Sequence, residues 1–251
     1  MILELLTSLP LILIGVSLAV SAAIVAMTQD WRLTLISLLV QYFFVTALLA
    51  LQLPPEMTLI KLLVGVVVTL LLFWSGQHVD NALKRVEGGR EWFQRNRAIF
   101  PLGLPFRLLT LVLIALVIFS LPESLLSSLV VPRVTVIVAL WVIIFGIVTI
   151  MLTRDPLKTG VGLLVFQNGF ELLYTPLEPG LAVAALLGIA NIAVALTTSY
   201  LAVVKHMPMI EAWLAEQAWQ DPSSPEALAE AVATLNDAPA DYNATNGEVL
   251  A

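Results

Sequence analysis

Residues 134–152 read VTVIVALWVIIFGIVTIML, with no charged side chain anywhere in the run. A helix of about 20 such residues is roughly 30 Å long, the thickness of a bilayer's hydrocarbon core. Apolar segments of comparable length recur at 7–28, 33–53, 57–76, 103–122, 132–152, 158–175 and 180–203. They predict an all-α polytopic membrane protein of about seven transmembrane helices, with the lipid bilayer as its solvent. Composition points the same way: 59% of the residues are apolar, 12% are charged and the mean hydropathy is +0.96.

Between the segments lie short breaks with turn chemistry, such as Leu53-Pro54-Pro55-Glu56 and Thr153-Arg154-Asp155-Pro156. Connections this tight predict antiparallel neighbours. The connection over 77–102 is longer and carries Lys84, Arg85, Arg90, Arg95 and Arg97. The positive-inside rule places it in the cytoplasm, and alternation then gives a multi-pass topology in the inner (plasma) membrane, N-terminus outside and C-terminus cytoplasmic. Lys61 and Arg133 are the exceptions, and both are expected to snorkel to the outer interface.

The expected organisation is a three-helix membrane unit over 1–76, a basic cytoplasmic linker over 77–102 and a linker transmembrane helix over 103–131. A second three-helix unit follows over 132–204, then an acidic cytoplasmic tail over 205–251. In that tail Met207–Gln220 reads as an amphipathic helix, Ser224-Pro225-Glu226 as a restart and the chain from Asp237 as disordered. An offset of 125 residues pairs Thr28 with Thr153, Asp30 with Asp155, Thr34 with Thr159 and Pro54 with Pro179. Duplication of a three-helix unit explains these matches. So does the plain habit of cytoplasmic turns to use Thr, Asp and Arg.

Function classes narrow quickly. With no cysteine there is no disulfide and no thiolate-bound metal. His78 and His206 fall outside the apolar segments and read as solvated loop residues. The acidic tail argues against nucleic acid as a partner. No phosphate-binding loop, catalytic triad or metal-ligand cluster is present, so no catalytic residue, metal or cofactor is expected.

Polar residues inside the spans are the candidate site. Glu171 is the only carboxylate within a span, and a charge at the bilayer centre costs at least about 2.5 kcal/mol. Counting along the helix places it roughly 20 Å from the cytoplasmic face, where it either works or snorkels outward. Gln167 stands one turn earlier, with Asn168 beside it. Asn191 in the last span lies at a similar depth, so the two amide sites are expected to face each other. These four are candidates for a proton or ion path; interhelical hydrogen bonding alone, worth under about 2 kcal/mol, is the rival account. Gln41 reads as packing glue, and Trp31, Trp74 and Tyr200 as interfacial anchors.

The stretch Val131 to Val204 resembles the NuoK family, chain 4L of respiratory complex I. The resemblance rests on the turn Thr153-Arg154-Asp155-Pro156-Leu157-Lys158, the run Gly162-Leu163-Leu164-Val165-Phe166-Gln167-Asn168-Gly169, and the final span with Asn191. It is closest to the longer component E of hydrogenase-4, and the NuoK-like small subunit of multisubunit cation/proton antiporters is similar as well. The family's implied role is that of a cofactor-free membrane-arm subunit of a complex I-like or hydrogenase-like assembly. Its partners would be other membrane-arm subunits, among them a larger antiporter-like one. An antiporter subunit or a structural membrane protein is the alternative. Family members carry an acid in each of the last two spans, whereas this chain has Gln167 and Asn191 there. Amides do not exchange protons near neutral pH, so the titratable role passes to Glu171 or is lost.

Overall fold

The structure, a computed structural model, describes residues 2–28, 30–86, 104–120 and 132–220. Among these the chain is all-helical, in seven elements. They are α1 (Ile2–Met27), α2 (Trp31–Ala50), α3 (Pro55–Val86), α4 (Leu104–Phe119), α5 (Arg133–Met151), α6 (Pro156–Tyr174) and α7 (Leu181–Gln220). Helices α2 and α5, Pro55–Asn81 of α3 and Leu181–Lys205 of α7 are each long and apolar enough to cross a bilayer. The apolar run of α1, Leu11–Met27, is shorter. Leu59 and Leu63 of α3, Leu113 and Leu116 of α4, and Leu186 and Ile189 of α7 lie exposed. Water would penalise such surface and lipid does not, so this is a helical membrane protein.

Local chemistry sets the helix starts. At the head of α2 the Thr34 hydroxyl donates to the Asp30 carbonyl at 2.9 Å, and at the head of α6 Thr159 does the same to Asp155 at 2.9 Å. These are the turns related by the 125-residue offset. Pro156 opens α6, where its missing N–H is no loss. A related pattern links each of these turns to a later helix. Arg32 pairs with Asp80 at 3.2 Å, and Asp155 meets Lys205, which stands 125 residues after Asp80, at 3.9 Å.

The core joins Leu18 and Ala22 of α1, Leu38 and Val45 of α2, Val142 and Phe145 of α5, and Val161 and Leu164 of α6. Helices α5 and α6 approach closely because Gly169 has no side chain: a Cβ there would stand 2.8 Å from the Ala139 carbonyl oxygen.

Two boundaries differ from expectation. Helix α3 continues past residue 76 to Val86, so the start of the 77–102 segment is helix rather than loop, and exposed His78 is helical too. The spacing of Val79, Ala82, Leu83 and Val86 among polar residues is a helical period that outlasts the apolar run. Likewise α7 runs unbroken to Gln220. The rest of the basic linker, the Leu121-Pro122-Glu123 break and residues 221–251, with the expected restart and disorder, lie outside the described residues. By internal contacts the chain divides into Met1–Lys205 and His206–Ala251, and the second unit is helical as far as Gln220.

Candidate functional site

Lys61 stands six residues into α3 and Glu171 three residues before the end of α6. At 1.5 Å per residue these are about 9 Å and about 5 Å from the ends of their helices, and both ends lie at the same side of the bundle. The two side chains point inward, 8% and 2% exposed, and form an ion pair through Lys61 Nζ and Glu171 Oε2.

Polar groups from α2, α6 and α7 surround this pair. Lys61 Nζ also donates to Asn168 Oδ1 at 2.8 Å, and Asn168 lies one turn before Glu171 on the same face of α6. The second carboxylate oxygen, Oε1, accepts from Asn191 Nδ2 of α7 at 2.8 Å. Asn191 Oδ1 in turn accepts from the Tyr42 hydroxyl of α2 at 3.2 Å. The Lys61 ammonium sits 4.7 Å from the centre of the Tyr42 ring, within the reach of a cation–π contact. A cavity of about 20 Å³ lies beside the pair, lined among others by Leu53, Met57, Thr58 and Thr175. That is room for one water molecule.

Buried charges persist only when paired and fully hydrogen-bonded, since each loses several kcal/mol of hydration. Here the carboxylate receives donors on both oxygens, and the ammonium has two oxygen acceptors and a ring face. Lys61, Glu171 and Tyr42 are the ionisable side chains of the cluster; Asn168 and Asn191 join them by hydrogen bonds as neutral amides.

Several sequence expectations change. Lys61 does not snorkel: the Glu171 carboxylate offers its ammonium a partner inside the bundle, at lower cost than an unpaired Glu171 would carry. Glu171 does not reach outward either. Of the two amide sites expected to face each other, Asn168 and Asn191 converge on the Lys61–Glu171 pair, whereas Gln167 Nε2 donates to the Leu187 carbonyl at 3.3 Å. Gln41 is not glue, since both its amide atoms are buried without a hydrogen-bond partner. Of the four candidates, Glu171, Asn168 and Asn191 come together and Gln167 stands at the side.

Sequence reasoning missed Lys61 and Tyr42. A signal existed for each: Lys61 is an opposite charge at the depth of Glu171, and a phenol in mid-span needs a hydrogen-bond partner.

At the other end of the bundle, Lys158 Nζ donates to the Thr28 carbonyl, tying the head of α6 to the end of α1. Trp31 packs against Phe73, their ring centres 5.7 Å apart. Among the described residues no group of three or more His, Asp or Glu gathers as a metal site. No protein-family model, curated protein or solved structure matches the chain.

Proposed function

We propose that this chain is a membrane-arm subunit of a complex I-like or membrane-bound hydrogenase-like assembly, and that the Lys61–Glu171 pair is a station on its proton path. The observation that carries the reading is a buried carboxylate–ammonium pair, with donors on both carboxylate oxygens, inside a helical membrane protein. Intramembrane ionisable residues are costly, and function is the usual reason for keeping them. The NuoK-like run of α6 supplies Asn168 and lies one turn from Glu171, which supports the assignment to such an assembly.

In this reading all seven helices cross the inner membrane, with the N-terminus outside and the pair in the outer third of the bilayer. A proton arriving through the small cavity neutralises Glu171. The ion pair then opens, and the freed Lys61 ammonium repels further positive charge until the proton leaves. Electron transfer belongs to partner subunits.

The test is proton pumping by the assembled complex in proteoliposomes carrying Glu171→Gln or Lys61→Met. Pumping is expected to fall at least tenfold in each, while electron transfer to an artificial acceptor persists. Unchanged pumping at normal electron-transfer rates would falsify the relay.

A further inference from the structure

We infer that Tyr42 is the positioning residue of the Lys61–Glu171 pair, orienting one partner through its hydroxyl and seating the other on its ring. The inference rests on the reading of that pair as a proton station.

The hydroxyl arm runs through Asn191. An amide side chain has two ends of nearly equal shape, one a donor and one an acceptor, and its environment decides which way it faces. Tyr42 donates to Asn191 Oδ1 at 3.2 Å, which leaves Nδ2 directed at Glu171 Oε1, 2.8 Å away. The carboxylate, which only accepts, decides which end of the amide faces it, and the hydroxyl anchors the other end, so that without it Asn191 is held in place from the Glu171 side alone. A donor on a carboxylate favours the charged form, so the phenol acts on the proton affinity of the site without touching the carboxylate.

The ring arm is direct. Lys61 Nζ lies 4.7 Å from the ring centre, and Gly65 stands one turn further along α3 on the same face. A Cβ on Gly65 would fall 2.5 Å from Tyr42 Cγ, so the ring rests against the bare backbone of α3. Tyr42 is 1% exposed and among the largest fully buried side chains. It is therefore held firmly enough to hold others.

Tyr42→Phe keeps the ring and removes the hydroxyl, whereas Tyr42→Leu removes both arms. In the proteoliposome assay of the assembled complex, Tyr42→Phe is expected to displace the midpoint of the pH profile of pumping by about half a unit, the scale of a neutral hydrogen bond. Tyr42→Leu is expected to lower the pumping rate further. A packing role predicts instead that Phe behaves as wild type in rate and midpoint, and that result overturns the inference. Glu171→Gln, measured alongside, separates the two claims: if it spares pumping, the station itself is wrong. A readout independent of transport is the infrared carboxylate band that Glu171→Gln removes. It should shift in Tyr42→Phe, and a band that stays in place overturns the inference whatever the pumping shows.

Discussion

Lys61 and Glu171 belong to helices far apart in the chain, α3 and α6, yet their charged ends meet inside the bundle with Asn168 bonded to the ammonium and Asn191 to the carboxylate. Each charge is the reason the other can be buried. Removing one partner strands the other in a medium that solvates it poorly, so the pair is sensitive to single changes and tolerant of a matched double change.

That asymmetry gives a stability prediction. Glu171→Leu and Lys61→Met are each expected to destabilise the protein by about 3–5 kcal/mol, and the double variant by much less. Thermal unfolding in detergent micelles measures the cycle. Additive losses would show that the two residues do not act as a pair.

Gly65 is expected to resist substitution. A side chain there drives into the Tyr42 ring, and Gly65→Val is expected to cost about 1–3 kcal/mol through overpacking. The same substitution at Gly180, where a Cβ would meet only Val183 at 3.7 Å, serves as the mild control. Equal losses at the two sites in the same unfolding assay would argue against the close ring–backbone contact.

Gln41 carries two buried amide atoms with no partner. Leucine has nearly the same size and nothing to satisfy, so Gln41→Leu is expected to raise stability by about 1–3 kcal/mol. A lower unfolding temperature in the variant would mean that the amide is satisfied after all, by water.

The absence of cysteine makes topology directly measurable. Single cysteines at exposed Glu56 and Glu178 are expected to react with a membrane-impermeant maleimide on intact cells. Those at exposed Asp30 and Arg154 are expected to react only after permeabilisation. Labelling of all four from one side would break the seven-crossing arrangement.

The helices were legible because membrane insertion is read from local composition. An uncharged run such as 134–152 has few other structures open to it, and the turns at Asp30 and Asp155 carry their own start signals. The end of α3 was less legible, as was the continuity of α7 from the last span into the expected Met207–Gln220 helix. Hydropathy marks where a helix leaves the apolar layer, while backbone hydrogen bonding continues as long as the residues favour it, here to Val86 and Gln220.

The candidate site was legible in part. Glu171 stands out by its cost alone, and Asn168 follows from helical spacing. Gln167 was grouped with them by the same spacing, but a turn of helix offers several directions, and its amide is satisfied by the Leu187 carbonyl. Lys61, near the end of its span, satisfies every local rule for a snorkelling lysine.

What the sequence determined by itself was the set of helices and the presence of a carboxylate too expensive to bury alone. The tertiary structure decided what relieves that cost. By bringing α2, α3, α6 and α7 together it chose Lys61, Asn191 and Tyr42 as the partners, because the energy of a buried charge depends on distances between helices, and those distances are set by packing across the whole bundle.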